Sequence, residues 1–205
     1  MKKTSPAAPP SRGPPDHDVR TQIVEAANEH FAHYGYEKTT VSDLAKAIGF
    51  SKAYIYKFFD SKQAIGEVIC SNCLNTIMKA ADEAVAAAPS ASEQLRGMFR
   101  ALVDTGSDLV FHERKLYDLA AAAASGPWPS VRAYEGHLRQ LIARIIVEGR
   151  NSGEFERKTP LDETANAIYL VMRPYIDPLQ LQHNLDLAAE ATAQLSSLLL
   201  RSLAP

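Results

Sequence analysis

The sequence predicts an all-α fold of about nine helices, in which a three-helix unit carrying a helix-turn-helix precedes a larger helical unit. Three observations lead there. Apolar residues recur at helical spacing along almost the whole chain. The period-two alternation and clustered β-branched residues that mark strands are scarce. Glycine, proline and serine fall between the periodic stretches, where turns are needed.

Residues 1–15 hold five of the chain's twelve prolines, with Lys2, Lys3 and Arg12 as charges. That composition buries too little apolar surface to offset its ordering entropy, so a disordered tail is expected. From Asp18 onward, Ile23, Val24, Ala27 and Phe31 keep helical spacing as far as Gly35, a natural stop. Thr40, with Asp43 three residues later, approximates a capping box and opens a short helix carrying Val41, Leu44, Ala45 and Ile48. Gly49 closes it, and Ser51 caps the next helix, which carries Ala53, Ile55, Phe58 and Phe59. After Asp60 and Ser61 a long helix runs through Ile65, Val68, Ile69, Leu74 and Ile77 towards Pro89.

Further helices are expected at about 92–106, 108–124, 129–151, 161–176 and 185–203. Ser125-Gly126-Pro127, Ser152-Gly153 and Asp177-Pro178 separate them. The organisation is therefore a tail at 1–15, a helix-turn-helix unit at 16–62 and a larger unit at 63–205.

Composition narrows the function. The 205 residues are 46% apolar, enough for a real core. The net charge is −2, so any nucleic-acid surface must be local. Residues 1–62 carry +2 and the remainder −4, which puts the cationic end where the motif lies. No apolar run reaches the roughly 18–20 residues of a membrane span, and the start lacks the apolar stretch of a signal peptide. Two cysteines are too few for a disulfide scaffold, so a reduced, cytoplasmic protein with no membrane partner is expected.

The informative stretch is 39–59. Two short helices joined by a tight glycine-containing turn can project the second helix into a major groove about 12 Å wide. Leu44, Ala45, Ile48, Ile55 and Phe59 would fix the crossing angle, and Ala45 is small where the helices approach. Ser51, Lys52, Ala53 and Tyr54 open the second helix and would face base edges. Tyr56 and Lys57 can donate to phosphates, as can Lys62 in the first turn of the following helix. The Thr40 hydroxyl can serve the cap or a phosphate. A helical hairpin in an ordinary bundle accounts for the apolar spacing equally well. It does not account for two tyrosines and three lysines gathered within eleven residues.

From Ile23 to Ile69 the chain resembles the N-terminal domain of the TetR family of bacterial transcriptional regulators. The matching pieces are Ile23-Val24-Glu25-Ala26-Ala27, Phe31-Ala32-His33-Tyr34-Gly35-Tyr36, Thr39-Thr40-Val41 and Asp43-Leu44-Ala45. Gly49-Phe50-Ser51-Lys52, Ile55-Tyr56-Lys57-Phe58-Phe59 and Ser61-Lys62-Gln63-Ala64-Ile65 complete them. Ala53 stands where the family commonly has Gly. The resemblance implies a homodimeric repressor that reads a palindromic double-stranded operator. It also implies an all-helical C-terminal domain in which a small-molecule effector binds and releases the DNA.

Residues 63–205 resemble the family loosely, Glu148-Gly149-Arg150-Asn151-Ser152-Gly153-Glu154-Phe155 looking like a helix end common in it. By position, the last two long helices would form the dimer's four-helix interface. Leu161, Ala165, Ile168 and Met172 on one, and Leu187, Ala191, Leu195 and Leu198 on the other, recur at helical spacing. An intramolecular core would show the same spacing. Phe99, Phe111, His112, Tyr117, Trp128, Tyr134, His137 and Tyr169 are candidates for an apolar effector pocket with a few polar tips.

Cys70 and Cys73, at i and i+3, share a helix face and could oxidise together, which makes a redox-responsive regulator an alternative. No further Cys exists to complete a structural zinc site, and no metal or cofactor is called for. A helical enzyme with a pocket near His112, Glu113 and His137 is a second alternative. It lacks a His-Glu-x-x-His unit, a nucleotide-binding glycine loop and a nucleophile elbow. A sequence-nonspecific architectural DNA binder is a third, disfavoured by the near-neutral composition.

Overall fold

A computed structural model describes residues 16–109, 116–126 and 128–205. Among them lie ten α-helices and no strand: α1 (Asp16–Tyr34), α2 (Val41–Ile48), α3 (Lys52–Ile55), α4 (Lys62–Ala87), α5 (Ala91–Ser107), α6 (Tyr117–Ser125), α7 (Pro129–Ser152), α8 (Leu161–Ile176), α9 (Pro178–Leu181) and α10 (Ala188–Ser202). A 3₁₀ turn, Leu185–Leu187, leads into α10. No helix among the described residues is long and apolar enough to cross a membrane. The tail expected at 1–15 lies outside the described residues, as does 110–115.

The helix ends follow local chemistry. Gly35 follows α1 at φ +85°, and Gly49 closes α2 at φ +78°, a backbone region that costs glycine little. The side chains of Ser61 and Ser90 accept from the Ala64 and Glu93 amides to cap α4 and α5. Pro129 opens α7, and Gly153 closes it at φ +83°. The sequence marks Asp177-Pro178 as a turn, and it is also a start. Asp177 accepts from the Leu179 amide at 2.9 Å, Pro178 takes the first helical position, and the short α9 follows.

Two hydrophobic clusters organise the helices. The smaller gathers Val19, Ile23, Ala27 and Phe31 of α1, Val41, Leu44 and Ala45 of α2, and Ile55 with Phe59. It also takes in Ile65, Ile69 and Cys70 of α4, Leu119 and Ala123 of α6, and Trp128. The larger is built on α5, α7 and α8, with Ile77, Met78 and Ala81 from the second half of α4. A helix the length of α4 spans about 39 Å, enough to reach from one cluster into the other. A division at 62/63 therefore runs beside one continuous helix that both cores share.

Candidate nucleic-acid interface and effector cavity

The first site begins with the caps around the turn. The Asp43 amide donates to Thr40 Oγ1 at 3.2 Å, and the Thr40 amide donates back to Asp43 Oδ2 at 3.0 Å. The Thr40 hydroxyl donates to the same Oδ2 at 2.6 Å. These bonds, the hydroxyl's first, hold the Asp43 carboxyl below the usual carboxylate range. The Phe50 amide donates to Ala45 O at 2.9 Å, turning the chain, and Ser51 Oγ accepts from the Tyr54 amide at 3.1 Å. Two further turns, from the Phe58 and Phe59 amides to Ile55 O, prolong α3.

Ile55 and Phe59 point into the core, which leaves Ser51, Lys52, Ala53, Tyr56 and Lys57 exposed on one surface. The Lys52 ammonium lies 5.8 Å from the Tyr56 ring centroid. Tyr54 is held differently. Its ring sits edge-on between Phe50 at 5.1 Å and Phe58 at 5.3 Å, with Lys57 Nζ 5.5 Å from its centroid. It stiffens the helix and is only half-exposed. Lys62 is engaged within the fold. Its ammonium donates to Tyr36 O at 2.9 Å and lies 4.2 Å from the Tyr36 ring, so it ties down the loop between α1 and α2. Arg20 was invisible to local pattern. It donates to Phe58 O at 3.3 Å and lies 4.4 Å from the Phe59 ring, bracing the end of α3 from thirty-eight residues away.

The second site is a cavity of about 60 Å³ where α4, α5, α6, α7, α9 and the end of α8 converge. Cys70, Cys73, Leu74 and Ile77 wall it from α4, Leu102 and Gly106 from α5, Leu116 and Ala120 from the α6 segment. Tyr134, Ile176, Pro178 and Leu181 complete it with Leu109. Of the eight residues read as pocket candidates, Tyr134 alone lines it among those described. Burial pushes its phenol well above the ordinary range. Burial likewise raises the Cys70 thiol and pushes Cys73 up to about 11, so both stay protonated at neutral pH.

The other candidates do different work. Trp128 is 5% exposed and packs edge-on to Tyr36 at 5.7 Å, inside the smaller core. Phe99 is buried against Tyr175 in the larger core, and Tyr169 is buried beneath the Arg139 guanidinium, 3.9 Å from its ring centroid. His137 is exposed, with Nε2 3.4 Å from Asp82 Oδ2, and Tyr117 is half-buried outside the cavity wall. Phe111 and His112 lie outside the described residues.

The surface expected to dimerise also needs correction. Ala165, Ile168 and Met172 are buried in the chain's own core, because α8 turns that stripe towards α7. Leu161, Ala191 and Leu195 are half-buried, while Leu187 and Leu198 are 56% and 54% exposed. Leu170, which the sequence reading missed, is 53% exposed on α8. Helical spacing finds an apolar stripe but cannot say whether the chain or its copy covers it.

Known proteins match both halves. The family described as "Bacterial regulatory proteins, tetR family" matches residues 23–68, and "Tetracyclin repressor-like, C-terminal domain" matches residues 91–195. The uncharacterized HTH-type transcriptional regulator YhgD of Bacillus subtilis is 35% identical over 68 residues, 33% of this chain and 36% of that one. The biofilm operon icaADBC negative transcriptional regulator IcaR of Staphylococcus aureus is 36% identical over 63 residues, 29% of this chain and 34% of that one. The chain thus spans about a third of the length of the curated relatives it matches. Among solved structures, the regulator FadR of Bacillus subtilis in complex with stearoyl-CoA aligns over 88% of this chain and 97% of its own, at 20% identity and a TM-score of 0.64. These relatives are named as transcriptional regulators, not enzymes.

Proposed function

Because the chain belongs to the TetR family of bacterial regulatory proteins, we propose that it is a dimeric, ligand-responsive repressor that leaves its operator when an effector fills the cavity. The observation that carries this reading is the double duty of the α6 segment. Leu116 and Ala120 form part of the cavity wall, while Leu119 and Ala123 belong to the core of the helix-turn-helix head. A ligand that alters the position of the wall therefore acts on the head's packing. Its leverage equals its differential affinity for the DNA-competent and DNA-incompetent states. α4 offers a parallel route, since Cys70 belongs both to the cavity wall and to the head core.

On the DNA side, Lys52, Ala53, Tyr56 and Lys57 form the reading face, with Thr40 at its margin. The two lysines serve phosphates or base edges in the groove, which suits a chain whose overall charge gives no general attraction to DNA. Lys62 and Arg20 hold the face in place rather than contact DNA. Leu170, Leu187 and Leu198 are exposed on α8 and beside or on α10, where a second copy would cover them. IcaR's description as a negative regulator favours repression over activation.

The test is a gel-shift titration on inverted-repeat DNA. Lys52→Ala with Lys57→Ala should weaken operator binding more than tenfold and flatten its salt dependence by about 0.9 per lost phosphate contact. Unchanged affinity at physiological salt would remove the reading face. Leu170→Glu with Leu198→Glu should yield a monomer in sedimentation, and a dimer that persists would place the interface elsewhere.

A further inference from the structure

The cysteine pair on α4 is a chemical motif to which the repressor reading gives no work. We propose that Cys70 and Cys73 form a dithiol clamp for a trivalent arsenic hydroxide, a covalent modification site on a single helix face. The site is the pair of thiols and not the cavity as a whole. Only its consequence at the operator rests on the reading of the protein as a ligand-responsive repressor.

Both cysteines are free, and at i and i+3 within α4 their side chains leave the helix on the same side. They reach the same space, beside Leu74 and Ile77 of their own helix. Cys73 is half-buried and Cys70 is 7% exposed, so a reagent meets Cys73 first. Helix neighbours at this interval hold their Cβ atoms about 5–6 Å apart. A disulfide asks for about 3.5–4.5 Å, which the backbone of a 26-residue helix would have to bend to supply. One atom bonded to both sulfurs reaches further. It puts two bonds, each about 2.3 Å in zinc sites, where a disulfide has one of about 2.0 Å.

The state of the protons narrows the partner. Burial raises the Cys70 thiol, partly offset by the Ser130 hydroxyl beside it and reinforced by Glu67. Burial, and then the neighbouring Cys70, push Cys73 up to about 11. Near neutral pH both sulfurs therefore carry protons, which slows reactions that need a thiolate, disulfide exchange and alkylation among them. An arsenic hydroxide brings its own base. In As(OH)3 each As–O bond that breaks releases a hydroxide, which takes one S–H proton and leaves as water while an As–S bond forms. Two such exchanges give (RS)2AsOH and two waters, with no change of oxidation state and no net charge left on α4. The second exchange takes place within one molecule, an advantage that a pair of thiols offers and a single cysteine does not.

The experiment titrates the full chain with sodium arsenite at neutral pH, in buffer free of added thiols. Native mass spectrometry should show each chain gaining one AsOH unit and losing two hydrogens, and 2,3-dimercaptopropanol should strip it off again. Affinity should fall at least about 100-fold in Cys70→Ala and in Cys73→Ala, the order of advantage that a linked second bond provides. Emission from Trp128, the chain's only tryptophan, checks that each variant keeps its head core. Treated with diamide, the folded parent should resist the internal disulfide that the urea-unfolded chain forms. Because Cys70 also belongs to the head core, the adduct should release operator DNA in a gel shift. No arsenic on the folded parent, undiminished affinity in a folded single-cysteine variant, or a disulfide that forms as readily folded as unfolded would overturn the assignment. A specific adduct that leaves the operator complex intact would keep the clamp and sink the release mechanism instead.

Discussion

In the helix-turn-helix head the chemistry faces outward, whereas in the effector unit it faces inward. The proposed reading face of α3 is exposed lysine and tyrosine laid over a small packed core. Among the described residues the cavity is lined mainly by buried and half-buried aliphatics, with two thiols and one hydroxyl. The head can therefore lose function without losing stability, while the effector unit cannot easily change its specificity without changing its packing. The two meet at Trp128 and the α6 segment, and the sharpest experiments lie there.

Trp128→Ala should have the largest effect. Removing a buried tryptophan from a core costs about 3–5 kcal/mol, and here the loss falls on the head through Tyr36, Gly66 and Leu119. A thermal melt at fixed protein concentration should show the head's transition displaced strongly downward, with operator binding lost at growth temperature. If the variant instead melted normally and lost only the response to effector, Trp128 would belong to the effector site and the comparison would fail.

Gly149→Ala probes the effector unit alone. A Cβ there would fall 2.1 Å from the Phe155 ring, which is 3% exposed in the larger core. Alanine for glycine inside a helix normally stabilises. This one should destabilise by about 2–3 kcal/mol, because the ring must leave its place. Operator affinity of the folded fraction should not change. A gain in stability would mean that α7 and the 155 segment pack differently.

These two positions also show what could be read from sequence. The helix-turn-helix was legible because its signals are local: the Thr40–Asp43 cap, Gly49 at positive φ and the Ser51 cap all act within four residues. Trp128 reads in the sequence as a pocket candidate, whereas the fold packs it against Tyr36 and Gly66, ninety-two and sixty-two residues away. Arg20 and Lys62 fall under the same rule, their carbonyl partners being supplied by the fold. For α8 the period was right and the destination was not. Ala165, Ile168 and Met172 face the chain's own core, and Leu170 on another stripe is what remains outside.

Lys62 and Lys57 form a matched pair for separating brace from contact. Lys62→Ala removes a charge-assisted bond to Tyr36 O and should cost about 1 kcal/mol of stability, the usual range being reduced by its partial exposure. The salt dependence of operator binding should stay as it was. Lys57→Ala is an exposed change and should leave stability within about 0.5 kcal/mol while lowering the salt slope. Identical outcomes for the two would erase the distinction drawn between them.

The smallest effect is acid sensitivity, and it too divides between the regions. Glu154 accepts from the Ser92 amide at 3.0 Å, the Ser92 hydroxyl at 2.8 Å and the Ala91 amide at 3.1 Å, capping α5 from across the fold. These bonds, the Ser92 amide's first, hold its carboxyl below the usual range, as Thr40 holds Asp43 in the head. A carboxyl depressed in the folded state adds stability that is complete above its unfolded pKa, about 4.3, and is lost as pH falls through the folded value. Glu154→Gln keeps the shape and one accepting oxygen but cannot titrate. Melting temperatures below about pH 4.5 should therefore fall less steeply for the variant than for the parent. Asp43→Asn should flatten the same limb through α2. Because that cap lies in the head, operator binding at neutral pH should weaken for Asp43→Asn and hold for Glu154→Gln. An equal loss in both would mean that the α5 cap reaches the reading face, a coupling for which the α6 segment would be the route.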